Sequence, residues 1–175
     1  MLDESGPIRN LNRAAFMIHS ELHKARPDVL CAAHTHSIYG RAFSTLGREL
    51  DILTQSDCVF YDVSLLRLAA NQLAKFILSD CQNHAVYTQF NGVVLDEEEG
   101  KRIAECAGPY KRSVILQNHG LITMSATIEG TIALFKMMEE TSHCQLLAHS
   151  AAAGLGIKPV IVCKFFKLHF RSGRS

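Results

Sequence analysis

Short apolar runs set between segments of helical period constrain this chain more than any other feature. Val29 to His34, Ser113 to Leu116 and Leu121 to Met124 are each too short to stand as helices, and turn residues bound them. Such runs must be buried in a sheet. Val29 to His34 is nearly all apolar between Arg26-Pro27-Asp28 and the stretch Ser37 to Gly40, which predicts a strand buried on both faces. Ser113 to Leu116 and Leu121 to Met124 are joined by Gln117-Asn118-His119-Gly120, a strand–turn–strand in which Gly120 can take a positive φ.

The segments between carry helix signals. Asn12 through Lys24 places Ala15, Phe16, Ile18, Leu22 and Ala25 at helical spacing, with Asn12 as cap and Pro27 at the end. Tyr39 to Leu46 predicts a short helix stopped by Gly47, and Leu50 to Leu53 reads either as a short strand or as an extended link. Asp96-Glu97-Glu98-Glu99 opens a helix through a capping box, ending near Gly108-Pro109. Thr127 to Ala153 is the longest helix, capped by Thr127, with Ile132, Phe135, Met138, Leu146 and Leu147 along its expected apolar side. Strands and helices intermixed in this way predict a layered α/β or α+β domain with helices over a buried sheet.

With 175 residues and 47% hydrophobic content, one domain with a sizeable core is expected. The 18 basic and 17 acidic residues leave a formal charge of +1, so no broad field argues for nucleic acid or a membrane surface. The expected partner is a small molecule or another protein. Six cysteines are scattered without a CxxC pair and no secretory signal opens the chain, which predicts free thiols in a reducing cytosol. No apolar run approaches the roughly 20 residues of a membrane span.

The chemistry concentrates in His34-Thr35-His36, answered downstream by Asn118-His119-Gly120. Two histidines two apart on a strand point to one face, and a third from a turn can complete one side of a metal shell. His34, His36 and His119 would all gather at one end of the sheet, an open zinc site of the catalytic type. Nine histidines make a chance HxH plausible, and a lone histidine is more often hydrogen-bonded structure than ligand. His19 and His23, spaced i, i+4, read as a half-exposed helix face because no third ligand accompanies them.

In combination, Asn12-Arg13-Ala14-Ala15-Phe16-Met17-Ile18-His19, Ala25-Arg26-Pro27-Asp28-Val29, His34-Thr35-His36-Ser37, Gly40-Arg41-Ala42-Phe43-Ser44 and Leu116-Gln117-Asn118-His119-Gly120-Leu121 resemble the class II aldolase/adducin head domain. The resemblance covers most of the chain and lies nearer to fungal-type members than to the bacterial sugar-phosphate aldolases. It implies a three-layer α/β/α fold around a central mixed, largely antiparallel sheet, with His34, His36 and His119 holding zinc at a subunit interface. It further implies aldol cleavage or epimerisation of a small phosphorylated sugar, zinc polarising the carbonyl and holding the enediolate, in a cytosolic homo-oligomer that is commonly a tetramer.

The chain departs from that pattern at several places. Aligning on Arg-Pro-Asp and HxH puts Ala15 where the aldolases carry their proton-transfer acid, and Glu21, about 1.7 turns further along, projects elsewhere. The chain also begins where the family has already spent its first helices, strands and phosphate-gripping loop, so residues 1–162 read as a family domain incomplete at its N-terminus. An atypical insert, 62–82, separates Tyr61 from Asn83. Val63 to Gln82 reads either as translated intron, since its ends and Ala70-Asn71 can be encoded by splice signals, or as a lineage-specific surface helix. The tail 163–175 leaves the family pattern and reads as a frayed terminus or a basic interaction tail. The resemblance implies two functions: a zinc-binding carbon–carbon lyase whose activity is weak or lost, carried by the three histidines, and a non-catalytic adducin-like module associated with actin filaments and the cytoskeleton, carried by Ala15 and the lack of any segment resembling the phosphate loop. Adducin heads need no metal and lack those histidines, so the histidines discriminate between the two.

Overall fold

Helix α1 (Arg13–Ala25) starts at Asn12, whose side-chain oxygen accepts the Ala15 N–H at 3.2 Å and so satisfies one of the amides a helix start leaves unpaired. The computed structural model describes residues 12–61, 83–89 and 97–161. After α1 come β1 (Cys31–Thr35), α2 (Ile38–Ser44), a single 3-10 turn (Ser56–Phe60), β2 (His84–Tyr87), α3 (Glu97–Ala107), β3 (Ser113–Leu116), β4 (Gly120–Ser125) and α4 (Ile128–Gly154). The strands form one sheet in the order β1-β4-β3-β2. β1 and β3 both run antiparallel to β4, whereas β2 runs parallel to β3, so the sheet is mixed and largely antiparallel.

Strand alternation divides the core into two halves. On β3, Val114 and Leu116 face Ile18 and Leu22 of α1 and Ile103, Ala104 and Ala107 of α3. Ile115 between them faces the opposite side, where Phe43 of α2 and Leu134 and Met138 of α4 cover it. Helices therefore lie on both faces, the three-layer α/β/α arrangement. Each of the buried Val, Leu, Ile, Phe and Met side chains among these contributes about 1.5–3 kcal/mol relative to exposure. The α1–α3 contact is close enough that a Cβ on Gly100 would meet the Met17 carbonyl oxygen at 2.4 Å.

Three local expectations change. β1 is not buried on both faces: among the described residues it is the outermost strand, all five of its residues are half-buried, and Leu30 just before it is exposed. Gly120 does not take a positive φ. Asn118 does, at 58°, while Gly120 is required because a Cβ there would lie 2.1 Å from the Thr35 carbonyl oxygen on the neighbouring strand. The inner face of α4 is also different, since Ile132 and Leu147 are exposed, and Thr131, Thr141, Ser142 and Gln145 are buried beside Leu134 and Met138. Among these, Thr131 Oγ1 donates to Cys31 O at 3.1 Å and Ser142 Oγ to Met138 O at 2.7 Å. Of the two readings of Leu50 to Leu53, the extended link is the one present, and the Gln145 amide takes the place of a strand partner. It accepts the Asp51 N–H at 3.0 Å and donates to the Asp51 carbonyl at 2.6 Å. The expected cap Asp96, the insert 62–82 and the tail 163–175 lie outside the described residues.

Two buried basic side chains join distant segments. The Arg26 guanidinium, 6% exposed, donates to both Asp28 oxygens at 2.8 and 2.7 Å and to the carbonyls of Gly108 and Lys111 at 3.1 and 2.9 Å. Arg-Pro-Asp thus ties the α1–β1 turn to the α3–β3 turn. His84 is fully buried: its Nε2 accepts the Leu50 N–H at 3.1 Å and its Nδ1–H donates to the Phe60 carbonyl at 3.2 Å. Burial pushes its pKa below the ordinary 6.5.

Below pH 6.5 the unfolded chain therefore takes up a proton that folded His84 refuses, and folding stability falls as the pH drops. Urea unfolding at pH 7 and pH 5, with chelator present, should give a smaller stability difference for His84→Gln than for the natural chain; an equal difference would remove His84 from the acid response. Gly120→Ala should cost roughly 2–4 kcal/mol, because β1 and β4 must separate to admit the methyl group. A variant as stable as the natural chain in the same assay would contradict that close approach.

Candidate metal centre

Antiparallel pairing of β1 with β4 sets His34 opposite Ile122 and Thr35 opposite Leu121, so the end of β1 lies beside the start of β4. The residue just before β4 is His119. It closes the β3–β4 turn, its N–H donating to the Leu116 carbonyl at 3.0 Å, after Asn118 has reversed the chain in the left-handed region. β1 ends at Thr35, so His36 stands one residue past the ladder and is exposed. All three sequence-predicted histidines come together here. Every pair of rings among His34, His36 and His119 has centroids 4.8 Å apart, and one nitrogen from each lies within 4.8 Å of the others, a group that could hold a metal ion.

The hydrogen bonds decide which nitrogens face one another. His34 Nδ1–H donates to the Leu121 carbonyl at 3.0 Å, leaving its Nε2 lone pair turned to His36 Nε2 at 3.0 Å. Burial above all, and then the neighbouring His119, hold the His34 pKa down at about 4. Burial, with His36 beside it, also lowers His119. Neutral imidazoles with converging lone pairs are the form in which histidine binds metal.

The residues around the triad sort clearly. Ala15 lies half-buried on α1 and brings no carboxylate. Glu21 is buried and turned to α3: it pairs with Lys24 at 2.5 Å, and its Cγ is the atom that a Cβ on Gly100 would approach at 3.0 Å. His23 Nδ1 bonds to the Val29 carbonyl at 2.9 Å, a structural role in the α1–β1 turn. His19, half-buried, has its pKa lowered by burial and then by His23, and it is close enough to His34 to help lower that ring. Sequence reasoning missed Glu139 on α4, whose carboxylate meets the segment just after His36. Oε1 accepts the Tyr39 N–H at 3.0 Å, and Oε2 accepts the Gly40 N–H at 2.7 Å and the Ser37 hydroxyl. No local signal marks a partner about a hundred residues away.

The chain matches the family model described as class II aldolase and adducin N-terminal domain over residues 3–146. It is 39% identical to the meiotically up-regulated gene 14 protein of Schizosaccharomyces pombe, over 83% of this chain and 49% of that one. Decarboxylase NovR of Streptomyces niveus is 38% identical over 82% of this chain and 45% of its own. Among solved structures, L-fuculose 1-phosphate aldolase from Glaciozyma antarctica superposes with a TM-score of 0.60 at 38% identity, covering 81% of this chain and 45% of that one. The chain spans about half the length of these relatives. A matching family model over most of the length, a mixed sheet with helices on both faces and a like fold at 38% identity lead to one conclusion: the chain belongs to the class II aldolase and adducin N-terminal domain family.

Proposed function

We propose that His34, His36 and His119 hold a divalent metal ion, zinc by the chemistry of the donors, and that the ancestral activity at this site is aldol cleavage or epimerisation of a small phosphorylated sugar. The observation that carries the reading is the convergence of three imidazoles, one already held by a backbone carbonyl in the tautomer that frees Nε2. When bound, the ion supplies Lewis-acid stabilisation of the negative charge that develops on oxygen as a carbon–carbon bond beside a carbonyl breaks. Three neutral imidazoles would leave a bound ion its full double charge. The Leu121 carbonyl fixes the His34 ring, and the edge position of the centre gives access from solvent. Likeness to a sugar-phosphate aldolase supports the substrate class, and likeness to a decarboxylase fits the same demand for stabilised charge. Assembly into a homo-oligomer, a tetramer in the family, and a cytosolic location belong to this reading. Among the described residues no helix is long and apolar enough to cross a membrane.

Ala15 limits the chemistry. The position from which the aldolases transfer a proton holds a methyl group, so turnover is expected to be slow even with the metal bound. That observation favours a second reading, a non-catalytic adducin-like module that binds actin filaments.

Purified chain should carry about one zinc per molecule. The combined change of His34, His36 and His119 to Ala should abolish it by elemental analysis; stoichiometric zinc surviving the triple change would refute the site. Ala15→Glu should raise zinc-dependent cleavage of a sugar phosphate by about 100-fold without changing zinc content. Cleavage that stays absent in the zinc-loaded variant, together with co-sedimentation on actin filaments, would transfer the assignment to the adducin-like reading.

A further inference from the structure

His36 differs from its two companions in how it is held. His34 sits within the β1–β4 ladder and bonds to Leu121, and His119 is closed into the β3–β4 turn. His36 is exposed and lies past the last paired residue, so strand pairing does not fix its backbone. Helix α2 fixes it instead. That helix begins two residues on, and the direction of its first turn sets where the His36 ring projects. Yet α2 is seven residues long, and its N-cap Ser37 makes no capping bond of its own to the helix amides. A single short helix without a cap has little reason to form by itself.

Glu139 supplies the cap from another layer of the fold. Its carboxylate accepts the Tyr39 and Gly40 amides and the Ser37 hydroxyl, three donors in the four residues after His36. One turn further along α4, the His143 ring stacks on Tyr39 with centroids 3.5 Å apart and planes 6° apart, holding the same turn at a second point. On its other side the turn rests on β4, where a Cβ on Gly40 would meet Leu121 Cδ1 at 2.3 Å. Leu121 is the residue whose carbonyl holds His34. One carboxylate therefore registers α2 against the strand that orients the rest of the triad.

We infer that Glu139 is a positioning residue of the metal centre: it binds no metal itself, but by capping α2 across the layers it holds His36 where it can meet His34 and His119. This rests on the metal-binding reading above. Removing a partner that orients a ligand commonly weakens metal affinity about 10–100-fold. A loss confined to His36 should also disappear once His36 is gone.

Cobalt(II) titration of the full chain, monitored by its visible absorption, tests this. Glu139→Ala should weaken binding about 10–100-fold, and Glu139→Gln, which keeps one acceptor oxygen, should recover part of the loss. Glu140→Ala, one residue along and paired with exposed Lys136, should bind as the natural chain does. Ile103→Val, in the core half beneath α1 and α3, provides a comparison at reduced thermal stability; affinity lost equally there would reduce Glu139 to a general stabiliser and overturn the inference. In a His36→Ala background, Glu139→Ala should have no further effect, and an undiminished cost would show that it does not act through His36. Should the natural chain bind no cobalt, the metal reading fails by itself. Histidine-ring NMR of the metal-free chain then decides the positioning: Glu139→Ala should move the His36 ring signals while leaving those of buried His84 in place, and unmoved His36 signals would overturn it.

Discussion

The antiparallel pairing of β1 with β4 carries the rest of this structure, because it joins two stretches nearly ninety residues apart in the one register that makes a site. With His34 opposite Ile122 and Leu121 opposite Thr35, the carbonyl of Leu121 comes within 3.0 Å of His34 Nδ1, and His119 arrives beside the end of β1. A slip by one residue would turn His34 to the other face of the sheet and separate it from its companions. Gly120 enforces the register from the other side. The Thr35 carbonyl approaches so closely that only a residue without Cβ can stand there. A backbone constraint and a side-chain hydrogen bond thus select the same alignment.

Around that pairing, buried polar groups do the joining that apolar packing cannot do with direction. Arg26 fastens two turns on the α1–α3 side through carbonyls that would otherwise need water, and His84 joins the Leu50 and Phe60 segments on the α2–α4 side. Gln145 does the same for Asp51. Each is a group whose loss leaves buried donors or acceptors without a match, which is costlier than losing a methyl contact. The apolar halves of the core set how strongly the layers adhere; these polar joints set where each layer sits. The gathering of the three histidines depends on the second more than the first, since their rings meet only at the ends of separate elements.

Much of this was readable from residues near one another in sequence. The helix starts at Asn12 and Thr127, the stop at Gly47, the strand–turn–strand around His119 and the gathering of three histidines at one sheet end all derive from local spacing and capping chemistry. The errors share a cause. Apolar content cannot reveal that β1 is only half-buried and outermost among the described strands, because neighbours in the sheet are chosen by segments far away. Helical spacing cannot tell that α4 buries threonines, a serine and a glutamine in preference to Ile132 and Leu147, since the Cys31 and Asp51 carbonyls that receive Thr131 and Gln145 lie far away in sequence.

By itself, then, the sequence determined the element types, the layered class and which three histidines gather at one end of the sheet, for these depend on period, caps and spacing within short windows. Tertiary structure alone decided the strand order, the reason for Gly120, the tautomer of His34 and the capping contacts of Glu139. Each of those is a contact between groups distant along the chain, where a few tenths of an ångström or one hydrogen bond selects among arrangements that local propensity leaves equal.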